Sequence, residues 1–126
     1  MMKTAKHVLE DKSPDIWTMT SDALVVDVAK MMAEKEIGAL VVLEDDKMVG
    51  ILSERDYARK VILKGKSSKE TLVREIMTTN VFHARPDQKL GKCLSLMTKN
   101  RFRHIPVLKK DRLVGILSIE DIKSIL

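Results

Sequence analysis

Two short words hold the residues best suited to chemistry. GILSERD at 50–56 and GILSIED at 115–121 each set a serine three residues ahead of an aspartate, Ser53 with Asp56 and Ser118 with Asp121. In both, an apolar run ends at the serine and a helical pattern begins after it, so the pair stands at a helix entrance. Two chemistries are open there. Ser-x-x-Asp is a capping-box pattern, in which hydroxyl and carboxylate satisfy backbone N–H groups that the first helical turn leaves unpaired. The same helix end offers free N–H groups and a positive dipole end to a phosphate. A carboxylate beside that phosphate would repel it, and makes better sense accepting hydrogen bonds from a ribose diol, as acidic residues do in dinucleotide folds. The glycine ahead of each serine lets the backbone approach closely.

A second candidate is the basic stretch RFRHIPV at 101–107. In an extended run Arg101 and Arg103 share one face while His104 takes the other. Arginine suits phosphate because its fork donates two hydrogen bonds at once. The competing readings are solvated arginines at a helix end and a core histidine between Phe102 and Ile105. Arg55, inside the first word, is either a phosphate ligand or half of a surface ion pair.

Other motifs fail on spacing. KGKSS at 64–68 ends like a phosphate-binding loop, but that motif needs glycine where Lys60 stands and a strand before it. His7, His83, His104 and Cys93 lack zinc-ligand spacing. Cys93 lies on an apolar stripe with no basic neighbour in sequence, as a core thiol does. With no acid–base or nucleophile constellation, the expectation is a protein that is not an enzyme.

The elements that position these residues occur twice. Gly50 and Gly115 stand 65 residues apart, and that offset aligns 22–60 with 87–125 without a gap. Upstream the register slips: Val8 and Leu9 match Ile76 and Met77 at an offset of 68, so the first copy carries three extra residues around DKSPD. Val25, Val28, Ala29 and Met32 fall at i, i+3, i+4 and i+7, as do Leu90, Cys93, Leu94 and Met97, which predicts one core-facing helix per copy. Thr20, Ser21 and Asp22 supply cap-type residues for the first helix and Pro86 and Asp87 for the second, with Gly38 marking an end. Next come two β-rich runs around a polar turn, Glu44 to Lys47 in copy one, whose continuous apolar character predicts strands covered on both faces. A second helix follows each serine, from about Glu54 to Leu63 and from Ile119 onward. A short leading strand is expected around Ile16 to Met19 and Val81 to Ala84. The chain thus divides into a first copy at 1–63, a polar linker at 64–70 and a second copy at 71–126. One copy alone has too little core, so the two are expected to pack together.

The 126 residues are 44% hydrophobic and 33% charged, a globular composition, with only four aromatic rings. No apolar run approaches the roughly 20 residues of a membrane span, and the N-terminus lacks the apolar centre of a secretory signal. One cysteine fits a reducing compartment, so a cytoplasmic protein is expected. Residues 1–63 hold 9 Lys or Arg against 12 Asp or Glu, a net −3, whereas 64–126 hold 14 against 6, a net +8. The positive field of the second half suggests an anionic ligand there, or a solvated basic face.

The order of elements, the doubled G-I-L-S-x-x-D, RFRHIPV and the lead-in REIMTTNV resemble a tandem pair of cystathionine-β-synthase-type (CBS) domains, a Bateman module. The resemblance covers essentially the whole chain. It implies an α/β (α+β) fold of two β-α-β-β-α motifs packed with pseudo-two-fold symmetry. It also implies a regulatory sensor of adenosine nucleotides (AMP, ADP or ATP, with NAD and S-adenosylmethionine as further ligands), in which each aspartate holds the ribose and its serine assists. By position these are Ser53 with Asp56 and Ser118 with Asp121. The family's base and phosphate contacts fall on Arg103, His104 and Pro106. Their equivalents in copy one are Gly38, Ala39 and Val41, which bring no cation, so Arg55 or the basic second half would have to supply charge. The resemblance further implies a homodimer, and a free-standing pair would act on a protein partner in trans. Two alternatives are a nucleic-acid binder using the basic half, opposed by interspersed acids and absent stacking aromatics, and a scaffold in which both serines serve only as caps.

Overall fold

The computed structural model describes residues 3–12 and 15–125. Helix α1 spans Ala5–Asp11, strand β1 Thr18–Met19, α2 Val25–Lys35, β2 Ala39–Glu44 and β3 Lys47–Ser53. Helix α3, Glu54–Tyr57, runs on as a π-helical turn over Ala58–Ile62; α4 is Val73–Ile76, α5 Leu90–Asn100, β4 His104–Lys109, β5 Arg112–Ser118 and α6 Ile119–Lys123. The mixed α/β class is as expected, with a three-stranded sheet β1-β2-β3 and a two-stranded sheet β4-β5.

Packing follows units that interleave along the chain. A middle unit comprises Trp17–Val81, and a terminal unit joins Met1–Ile16 to Phe82–Leu126. Helix α1 therefore packs with the second copy's helices and strands, while α4 packs with the first copy's. Within each unit the repeat puts equivalent side chains inside. Val25, Val28, Met32, Leu40, Val42 and Leu52 are buried in the middle unit, and their counterparts 65 residues on, Leu90, Cys93, Met97, Ile105, Val107 and Leu117, in the terminal one. Val73 and Ile76 of α4 match Ala5 and Val8 of α1, all four buried. The apolar stripes of α2 and α5 thus meet the inner faces of the two hairpins.

Both hairpins have the same register. Ala39 opposes Ser53 and His104 opposes Ser118, with an irregularity at Val42/Leu43 and at Val107/Leu108. Their two-residue turns take left-handed backbone at both positions, Asp45 and Asp46 in one, Lys110 and Asp111 in the other, which matches the strand twist. The leading strand differs: β1 pairs in parallel with β2, whereas in the terminal unit only Ala84 makes an isolated parallel bridge, to Val107.

Three local expectations are corrected. Helix α2 begins after Leu24 and α5 after Lys89, neither through a side-chain cap. Backbone carbonyls take that role: Val25 and Val26 N–H donate to Thr71 and Ser68 (both 2.9 Å), and Leu90 N–H to Lys3 (3.0 Å). In return Val73 N–H donates to Ala23 (2.8 Å) and Ala5 N–H to Gln88 (2.8 Å), so helix entrances are joined in pairs across each unit. Helix α2 ends on Glu36 in left-handed conformation (φ 54°) instead of Gly38. Arg101 closes α5 the same way (φ 60°), so it does not share a strand face with Arg103.

Candidate functional site

The terminal unit gathers most of the expected residues. Strand β5 ends at Ser118, whose extended backbone (φ −95°, ψ 163°) starts α6. The capping box is complete: Asp121 N–H donates to Ser118 Oγ (3.0 Å) and Ser118 N–H to Asp121 Oδ2 (2.8 Å). Alongside, His104 opens β4 directly opposite Ser118, and Ile119 N–H donates to the Arg103 carbonyl (2.8 Å). Arg103, His104, Ser118 and Asp121 therefore converge on one corner of the unit. The Arg103 guanidinium pairs with the exposed Glu120 carboxylate. Glu120 is held below the usual carboxylate range, first by its own backbone N–H and then by the Arg103 hydrogen bond. Pro106 is buried within β4, its carbonyl accepting from Ala84 N–H (2.9 Å).

A cation that the repeat does not predict joins this corner. Lys12 Nζ lies 2.7 Å from Asp121 Oδ2 and donates also to the Ile116 carbonyl (2.9 Å). Burial acts to raise the Asp121 pKa, but the hydrogen bonds from Lys12 and Ser118, together with the Lys12 charge, outweigh it and hold the carboxyl below its ordinary value. All these contacts fall on Oδ2. Among the described residues Oδ1 accepts no hydrogen bond, and the Asp121 side chain stays 26% exposed.

The middle unit builds the same corner with different material. Ser53 caps α3, with Asp56 N–H donating to Ser53 Oγ (3.2 Å) and Ser53 N–H to Asp56 Oδ2 (3.0 Å). Here both carboxylate oxygens are engaged. Lys60, one turn along the helix, reaches Oδ1 at 3.1 Å, and the Thr78 hydroxyl lies 3.2 and 3.4 Å from the two oxygens. The Asp56 side chain is 13% exposed. Arg55 is exposed and forms no ion pair among the described residues. Of the positions equivalent to the basic strand, Gly38 accepts from Glu54 N–H (3.0 Å), Ala39 faces Ser53 and Val41 is buried.

Lys12, Lys60 and Thr78 were not among the expected residues. Lys60 was readable as an i, i+4 partner of Asp56. Lys12 lies 109 residues from Asp121, and its only sequence signal was the DKSPD insertion where the register slips. Burial pushes the Cys93 thiol up and places it in the core, away from either corner. Among the described residues no group of three or more His, Cys, Asp or Glu is arranged to hold a metal, and no helix is long and apolar enough to cross a membrane. An open pocket of about 450 Å³, lined by residues including Thr20, Leu43, Asp45 and Asp46, lies at the turn end of β2 and β3, opposite the Ser53 end.

Comparison with known proteins places these corners in context. Residues 6–63 and 73–126 each match the CBS domain model. The chain is 43% identical over 112 residues to CBS domain-containing protein CBSX3, mitochondrial, of Arabidopsis thaliana, covering 85% of this chain and 54% of that protein. The chain thus spans about half the length of that relative. A solved CBS-domain protein from Burkholderia ambifaria MC40-6 superposes with a TM-score of 0.93 at 46% identity, covering 98% of this chain and 94% of the other. The CBS domain pair of protein MJ0100, solved in complex with 5′-methylthioadenosine and S-adenosyl-L-methionine, superposes with a TM-score of 0.87 at 29% identity, covering 98% and 95%.

Proposed function

The chain belongs to the CBS domain family as a tandem pair, and on that premise we propose that it is a regulatory module, not an enzyme, that binds an adenosine nucleotide and reports its level to a protein partner in trans. The carrying observation is the Asp121 corner: a part-exposed, ionised carboxylate whose Oδ1 accepts from none of the described residues, beside a basic strand entrance. A carboxylate has about four acceptor positions, so Oδ1 can take the hydroxyls of a ribose while Oδ2 keeps the cap. The two ligands of the MJ0100 pair both contain an adenosyl group, which supports the ligand class. In this proposal Asp121 and Asp56 hold the ribose and Ser118 and Ser53 assist. Arg103, His104 and Arg55 meet the phosphates, and Pro106 shapes the strand beside the base. AMP and ATP are the leading ligands, with ADP, NAD and S-adenosylmethionine in the same class. A homodimer, a cytoplasmic location and the division into motifs at 1–63 and 71–126 around a linker at 64–70 belong to the same proposal.

Calorimetric titration with AMP, ATP, NAD and S-adenosylmethionine tests it. Asp121→Asn should weaken nucleotide binding by about tenfold or more, the scale of hydrogen bonds to a charged acceptor. Asp56→Asn should cost less, because both oxygens of that carboxylate already have partners. Binding unchanged in both variants would remove the site assignment. A second reading, a ligand-free scaffold, is favoured by the completeness of the two capping boxes, which give Ser53, Asp56, Ser118 and Asp121 a structural task. Absence of binding in the wild type would decide for it.

A further inference from the structure

The two aspartates share a feature that the repeat did not copy. Each carries a lysine ammonium, Lys12 at 2.7 Å from Asp121 and Lys60 at 3.1 Å from Asp56. These lysines are not equivalent positions. Lys60 aligns with Ile125 at the 65-residue offset, and Lys12 belongs to the leading segment where the register has slipped. The two halves reach the same ion pair from different elements, one within the capped helix and one from beyond α1.

The caps do not require these cations, because serine and aspartate already satisfy one another in both copies. Part-exposed pairs of this kind add little to stability. The donor count points elsewhere. A lysine ammonium has three donors. Lys12 uses one on Asp121 and one on the Ile116 carbonyl; Lys60 uses one on Asp56 and one on the Ile76 carbonyl (3.0 Å). Among the described residues the third donor of each has no acceptor, and the side chains are 34% and 43% exposed. A bare carboxylate would repel a phosphate held nearby, whereas a carboxylate paired with a fixed ammonium is neutral overall and presents a donor at its edge.

Given the nucleotide-binding function proposed above, we infer that Lys12 and Lys60 are ligand-charge selectors, each cancelling its aspartate and offering its third donor to an anionic group. Both corners then prefer a phosphorylated ribosyl ligand over the neutral nucleoside. Lys12 acts in the terminal unit and Lys60 in the middle one.

AMP and adenosine are the probes, titrated calorimetrically into the full chain. The wild type should bind AMP more than about tenfold tighter than adenosine. The Lys12→Gln, Lys60→Gln double variant should lose about tenfold of that for AMP, the remainder being held by Arg103, His104 and Arg55, while adenosine binding stays within about twofold. Lys12→Arg with Lys60→Arg should restore the preference, and raising the salt concentration should shrink it in the wild type, a readout that needs no variant. An AMP-to-adenosine ratio unchanged in the glutamine variant, or insensitive to salt in the wild type, overturns the selector role. Equal losses for AMP and adenosine overturn it too, in favour of a purely structural ion pair. Wild-type protein that binds neither probe refutes the nucleotide function itself, an outcome separate from a charge-blind site.

Discussion

The Ile51 and Ile116 carbonyls occupy the same place in the two copies, one residue into the repeated word, yet they are satisfied differently. In the middle unit, chain following α4 bridges to β3: Thr78 N–H donates to Ile51 (2.8 Å), Ile51 N–H donates back (3.0 Å), and the Thr78 hydroxyl reaches Asp56. In the terminal unit a single side chain covers both positions, the Lys12 ammonium donating to Ile116 and to Asp121. One corner is therefore closed by backbone, a hydroxyl and Lys60 together, and the other by the Lys12 ammonium. The carboxylates record the difference: among the described residues Asp56 is the less exposed and bonded on both oxygens, and Asp121 is more open and bonded on Oδ2. Duplicated letters thus do not guarantee duplicated sites, because beyond the serine cap the support for each aspartate comes from outside the repeated word.

The largest effects test whether the two cores are equivalent beneath their unlike corners. Leu52 and Leu117 are aligned and both fully buried, so truncating either to alanine should cost about 2–5 kcal/mol in denaturant unfolding. A loss under 1 kcal/mol at one position alone would mean that the cores differ as much as the corners do.

The glycines give an intermediate effect and should separate the two units. A Cβ added at Gly50 would stand 2.7 Å from the Met77 sulfur and 3.0 Å from the Thr78 carbonyl, whose backbone is bonded to Ile51. At Gly115 the nearest atoms all belong to the Leu9 side chain, which is part-buried against the terminal core and yields more readily than backbone. Gly50→Ala should therefore cost about 1–3 kcal/mol by overpacking and Gly115→Ala under about 1 kcal/mol, both read as shifts in the urea midpoint. The reverse order would show that the Lys12 corner is the more rigidly built.

The smallest effect concerns acid. Asp121 has a folded pKa below its unfolded value, near 3.9 for a free aspartate. Its contribution to stability is present above that value and fades as the pH falls toward the lowered one. Wild-type stability measured from pH 6 to pH 2.5 should drop more steeply at the acid end than that of Asp121→Asn. Parallel curves would mean that the Lys12 contact does not persist in solution.

Much of this architecture was legible in the chain. The 65-residue repeat shows in the chain compared with itself, and the i, i+3, i+4, i+7 stripes, the hairpins and both capping boxes follow from local patterns, which need only neighbours within a few positions. The caps of α2 and α5 were misread because sequence advertises side-chain caps, whereas these helices are started by carbonyls of Thr71, Ser68 and Lys3. The end of α2 was misread because glycine is the usual left-handed residue, yet Glu36 adopts that conformation here, and Arg101, read as part of an extended run, does the same at the end of α5. Lys12 escaped notice because nothing local connects it with an aspartate 109 positions away.

The sequence by itself determined that there are two copies of one unit and which side chains each copy hides, because periodicity and the repeat offset are properties of the chain alone. Only the tertiary structure decided that α1 packs with the second copy and α4 with the first, and hence which cation meets which carboxylate. The physical reason is that a short helix with one buried face fits any matching core, and the choice between two similar cores is made by long-range contacts that no local pattern encodes.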